Sequence, residues 1–141
     1  MKYFLSVMLV LLLAMSTQAR ERYHAARGSG QFTSAEGDFV GAGIATHLGP
    51  FSEVGVVQLT PTADPAVFQV SGSATHTAAN GDQLVETIAG TLNLVTGAGS
   101  ATMTYIGGTG RFADASGSAF FELQLFSNGT FVYSGVGTID Y

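Results

Sequence analysis

Residues 106–117 read Ile106-Gly-Gly-Thr-Gly-Arg-Phe-Ala-Asp-Ala-Ser-Gly117. Gly107, Gly108, Gly110 and Gly117 bracket Arg111, the one Lys or Arg after residue 27. A connection this rich in glycine implies backbone angles and close approaches that side chains would block. A strand pattern ends at Tyr105 and another begins near Ser116. The Arg111–Ala115 run between them has room for about one helical turn, with Phe112 free to plug an apolar end.

Outward from this corner the chain reads as strands. From Gly28 on, Gly, Thr and Val are frequent and no window sustains the i, i+3, i+4, i+7 apolar spacing of a helix. The spacing predicts strands over 30–34, 39–48, 54–60, 67–78, 84–94, 100–106, 117–126 and 131–139. Eight strands joined by short turns suit an all-β fold, a closed antiparallel barrel that leaves no exposed edge. A repeated G-x-A-T supports a meander: Gly43-Ile-Ala-Thr46, Gly72-Ser-Ala-Thr75 and Gly99-Ser-Ala-Thr102, with Gly117-Ser-Ala119 repeating its start. Small residues at matching places on successive strands are what closure of a narrow barrel needs, although a chain this rich in Gly and Ala also produces such echoes by composition alone.

Two hairpins are marked by Asn80-Gly81 and Asn128-Gly129. A three-residue loop at the first, with Gly81 as the left-handed bulge residue, puts the apolar sets of both strands on one face, and His76 and Glu86 with them. A two-residue turn at the second would place Phe126, Phe131, Tyr133 and Gln124 on the outer face, an aromatic patch through which a homo-oligomer could form.

The first 19 residues have the parts of a secretory signal. Lys2 lies in a short n-region, an apolar run follows over Phe4–Ala14, and Thr17-Gln18-Ala19 places small residues for cleavage after Ala19. The run is too short to span a bilayer, so no membrane span is expected and the location is read as secreted or periplasmic. Three arginines in residues 20–27 read as a frayed basic tail, leaving 28–141 as the barrel domain. That domain holds one Arg against nine carboxylates and no Cys. It must therefore fold without disulfides, and so acidic a body argues against nucleic acid as a partner.

The 106–117 corner, with Gly43–Gly49 and Thr77–Asp82, resembles the G-G-T-G-[RK]-F-x-x-A-x-G signature and neighbouring segments of the allene oxide cyclase and dirigent-like barrels, in particular their small secreted bacterial members. The resemblance covers most of 28–141. It implies a closed eight-stranded barrel with an apolar cavity, often oligomeric, that in some members isomerises, cyclises or positions a hydrophobic substrate. The plant cyclase's catalytic residues do not map onto this chain position by position.

The corner is not a dinucleotide loop, because no third glycine follows in place. Arg111 reads as a clamp on Asp114, Glu122 or Asp82. His76 and Glu86 are the catalytic candidates, since burial on an apolar face would move their pKa values toward the range of a general acid or base. The opposing reading is a satisfied buried pair. His47, Met103 and Tyr105 are the ligand-binding candidates. No metal pattern of histidines is present, and neither a metal nor a cofactor is expected. The preferred function is non-enzymatic binding of a small hydrophobic ligand or a protein partner, the alternative a cofactor-free isomerase or cyclase. A lumen of about 300 Å³ or more that exposes Glu86 and His76 would favour chemistry, whereas a lumen filled with apolar side chains would leave a surface-interaction protein.

Overall fold

The structure, a computed structural model, describes residues 20–141. The signal-like residues 1–19 and their cleavage site lie outside the described residues. Eight strands follow in order: β1 (Arg22–Phe32), β2 (Asp38–Ala45), β3 (Gly49–Pro61), β4 (Val67–Ala78), β5 (Gln83–Asn93), β6 (Ala98–Gly108), β7 (Ser116–Leu125) and β8 (Thr130–Asp140). Each pairs antiparallel with the next, and β1 pairs with β8 to close the barrel. The one helical element among the described residues is a 3-10 turn, Gly110–Phe112, inside the glycine-rich corner.

Alternation along each strand assigns one set of residues to the lumen, as the period of two requires. The G-x-A-T echo belongs to that set, for Ala45, Ala74, Ala101 and Ala119 are all buried. The inward row also carries glycines opposite large side chains. Gly28 pairs with Tyr133 and Gly30 with Phe131 across β1 and β8. Gly41 pairs with Glu53, Gly43 with Phe51 and Gly55 with Phe39 across β2 and β3. A Cβ at any of these five glycines would collide with the side chain it faces, because that side chain lies flat across the neighbouring strand.

The first hairpin has the loop expected of it. Ala78 N donates to Asp82 O, Gly81 N donates to Ala78 O, and Gly81 sits at φ +91°. His76 pairs with Leu84 and Ala74 with Glu86, so the two candidates share the inner face. The second hairpin departs from the two-residue reading. Phe126 N donates to Thr130 O around a three-residue loop with Gly129 at φ +83°, and Leu125 pairs with Phe131. That one-residue change of register turns Phe131 and Tyr133 into the lumen. The Phe126/Phe131/Tyr133 oligomer face therefore does not exist as an outer patch. Its strands show Phe120, Val132 and Val136 to the outside instead.

The basic tail also requires correction, because residues 22–27 belong to β1 and the barrel begins at Arg22 rather than Gly28. Closure supplies the reason: without this segment the last strand would present an unpaired edge, and Arg22–Arg27 meet its Ser134–Ile139. His24 and Ala26 point inward and are buried and Arg27 points out, while Arg22, on the inward row but exposed at the strand's end, lays its guanidinium over the Tyr141 ring.

One end of the barrel is sealed by the corner. Phe112 is completely buried beside Leu48 and Ala115, with Tyr141 packed against the cluster. Arg111 holds the seal from outside: its Nη1 donates to Asp82 Oδ2 at 2.6 Å, its Nη2 donates to His47 O at 2.9 Å, and its guanidinium lies over the Phe112 ring. Asp114 and Glu122 are not its partners. Partial desolvation pushes the Asp82 carboxyl up, but the hydrogen bonds from Arg111 outweigh it and hold the group below the ordinary carboxylate range. Arg111 thus ties the β6–β7 corner to the β4–β5 loop and the β2–β3 turn.

Two stability predictions follow from this geometry. Gly28→Ala should cost about 2 kcal/mol or more through overpacking against Tyr133 and a β2 carbonyl. Gly81→Ala, whose Cβ would meet nothing within 4 Å, should cost only about 1 kcal/mol from its left-handed angle, and urea unfolding of both variants checks the order. Arg111→Ala should lower the thermal midpoint by several degrees, the loss shrinking in high salt because the pair is part-exposed, while Arg20→Ala leaves it unchanged.

Candidate functional site

The lumen is open at the end opposite Phe112 and holds a cavity of about 650 Å³. Phe32, Phe39 and Phe131 pack edge to face and tilted on one another to form one wall, with centroids 5.5 to 6.1 Å apart. The facing wall is aliphatic, with Val70, Ile88, Leu92, Met103, Leu123 and Leu125. The mouth is framed by the β1–β2 loop, Ser34–Gly37. A pocket of this size with apolar walls and few polar groups has the character of a small-molecule site.

Those polar groups converge at the floor. His76 Nε2 lies 2.9 Å from Glu53 Oε2 and 3.4 Å from Glu86 Oε1, and all three residues are buried. The His76 ring stacks on Phe51 at 4.5 Å. Gly41 makes the arrangement possible, because only a residue without Cβ lets Glu53 lie across β2. A β-bulge at Val85/Glu86 in the β5–β6 ladder shifts the register so that Glu86 stands opposite Tyr105. Tyr133, lying across Gly28, reaches the same region from β8.

Electrostatics separates the roles. Burial pushes the Glu86 carboxyl up; the His76 charge opposes this and the Glu53 charge adds to it, leaving it at about 7. Burial alone would lower the pKa of His76, but the Glu53 hydrogen bond and the charges of both carboxylates outweigh it and raise it. Glu86 therefore exchanges a proton near neutrality beside an imidazolium that donates to Glu53. Among the described residues Glu86 Oε2 has no hydrogen-bond partner, and Glu53 Oε1 and Tyr133 Oη make no close hydrogen bond although the phenol faces the Glu53 carboxyl group. Burial, with nearby carboxylates adding to it, raises the phenol pKa of both Tyr105 and Tyr133, so each remains a neutral hydroxyl.

His76 and Glu86 meet at the floor, and Met103 lines the cavity. Tyr105 points inward but lies beneath the floor, edge-on to His24. His47 is outside the cavity. Its Nε2 donates to Tyr23 O at 2.7 Å and its Nδ1 lies 3.0 Å from Tyr141 Oη, at the sealed end. Glu53, His24 and Tyr133 escaped the sequence reading. Glu53 lay before the predicted start of its strand, His24 in the supposed tail and Tyr133 on the supposed outer face. Alternation of Phe51, Glu53 and Gly55 was the one available signal for Glu53. Among the described residues no group of three or more side chains has the arrangement of a metal centre, and no helix is long and apolar enough to cross a membrane. No protein-family model and no curated protein matches the chain.

Opposing pH dependences follow. Glu86 titrates near 7 folded and 4.5 unfolded, so its stabilising contribution is complete below about pH 4.5 and lost as pH rises through 7. The thermal midpoint of Glu86→Gln should therefore gain on that of the parent between pH 5 and 8, a swing of about 3 kcal/mol at most from a shift of this size. Burial, with the charges of His47 and His76, lowers His24 from 6.5 to about 4. Its contribution is present above pH 6.5 and lost as pH falls toward 4, so His24→Gln should flatten the acid limb. Melting curves across pH 4 to 8 for the three proteins check both slopes.

Proposed function

We propose that the barrel binds a small hydrophobic ligand in its lumen, with the apolar part between the aromatic and aliphatic walls and a polar group on the Glu53–His76–Glu86 floor. The observation that carries this reading is the cavity of about 650 Å³ ending on buried polar atoms without partners. Buried polar groups are ordinarily satisfied, and a bound polar group would satisfy these. The signal-like pattern of residues 1–19 supports a secreted or periplasmic setting, where the chain would carry or sequester its ligand. The closed eight-stranded meander and the 106–117 corner support placing the chain among the allene oxide cyclase and dirigent-like barrels.

One observation favours a second reading, a cofactor-free isomerase or cyclase. Glu86, at about 7 beside His76, can both give and take a proton at neutral pH in an apolar chamber. His76 would position it and Glu53 would orient His76.

Native mass spectrometry of protein purified from its source should find a small apolar molecule retained by the parent and absent from Leu123→Trp, which narrows the cavity. An empty parent that also excludes apolar fluorescent probes would sink the lumen reading. Incubating the released molecule with parent and Glu86→Gln tests the second reading: conversion to an isomer of equal mass by the parent alone supports catalysis, and no conversion by either leaves binding.

A further inference from the structure

We infer that the head group seated on the lumen floor is an amine cation: the ligand is an apolar molecule ending in an ammonium, which sits against Glu86 Oε2 and Tyr133 Oη. This assignment rests on the lumen-binding reading and adds the chemistry of the head. Of the buried oxygens without a close partner, Glu86 Oε2 and Tyr133 Oη belong to residues that line the cavity, and Glu53, behind His76, brings a second carboxyl group. An ammonium brings three donors and no acceptor, which is the complement of such a set, whereas a hydroxyl brings one proton and a carboxylate none. Among the described residues no Lys or Arg lines the cavity, and the mouth adds Glu36. Residues 28–141 carry nine carboxylates against Arg111, which is engaged with Asp82 at the sealed end. The field at the mouth and floor therefore draws cations in and repels anions. The phenyl wall offers ring faces to the cation on its way down.

The charge balance closes. Glu86 on β5 is faced by His76 from β4, Glu53 from β3, Tyr105 from β6 and Tyr133 from β8. At pH 6 His76 is an imidazolium and Glu86 is neutral, and both phenols keep their protons. When the ammonium enters, the Glu86 O–H bond breaks, the proton leaves to solvent, and an ammonium–carboxylate pair forms. The net charge of the floor is unchanged, whereas a carboxylate head would add a negative charge beside Glu86 and Glu53. Amine affinity should then rise about tenfold per pH unit below Glu86's pKa and level off above it.

The test is calorimetric titration of the folded protein with n-octylamine, 1-octanol and octanoate, which share one tail. Runs at pH 6 use two buffers of different ionisation enthalpy, and a further run is made at pH 8.5. Octylamine is expected to bind at least about tenfold tighter than 1-octanol, with octanoate weakest, and to release about one proton at pH 6 and almost none at pH 8.5. Glu86→Gln should bring octylamine down to the level of 1-octanol, with its melting curve reporting that it is folded. Leu123→Trp should weaken both. If 1-octanol binds as well as octylamine, or octylamine binds without releasing a proton, the head-group assignment fails and the lumen reading stands. Octylamine binding that ignores Leu123→Trp would place the amine on the acidic surface and also overturn the assignment. Binding by none of the three probes would overturn the lumen reading together with it.

Discussion

Close approach of large side chains to glycine backbone is the constraint on which the rest of the barrel depends. Phe131, Tyr133, Phe51, Phe39 and Glu53 do not point at the barrel axis. They lie across glycines of the adjacent strand, in space that a single Cβ would occupy. Aromatic area is thereby buried against backbone instead of filling the centre, and the lumen stays open where a barrel of eight strands is usually just filled. The same device delivers Glu53 over Gly41 and Tyr133 over Gly28, so cavity and floor share one structural cause.

The two ends divide the labour. At the sealed end Phe112, Leu48 and Tyr141 exclude water, and His47 and Arg111 tie strand termini and loops together. The seal makes the floor dry, which lets burial move Glu86 to about 7 and lets the His76 contacts act with little screening. An open lower end would hydrate Glu86 and His76 and return them toward ordinary values. The mouth has no comparable seal, so the chamber is a blind tube with its chemistry at the bottom.

Legibility differed from strand to strand. β4 and β5 could be read because their alternation is clean and the facing of two apolar sets selects the odd loop, which brings His76 and Glu86 together from the sequence alone. β7 and β8 could not be read so, because both faces of that ribbon carry apolar residues. Phe120 and Val136 outside compete with Phe121 and Phe131 inside, and the pattern does not choose the register. β1 was misread because Arg20, Arg22 and Arg27 look like a solvated tail. Alternation of His24 and Ala26 with outward residues is too short to outweigh them until β8 needs a partner.

The sequence by itself determined an all-β meander of eight strands, the glycine-rich corner with its buried Phe112, the odd first hairpin and the acidic, cysteine-free character of the body. Those properties are local, set by period, turn chemistry and composition. Tertiary structure alone decided that Arg22–Phe32 closes the barrel, that Tyr133 and Phe131 face inward, and that Glu53 joins His76 and Glu86 while His47 does not. Each depends on pairing between segments far apart in the chain, where a register one residue different sends a side chain to the opposite face of the sheet.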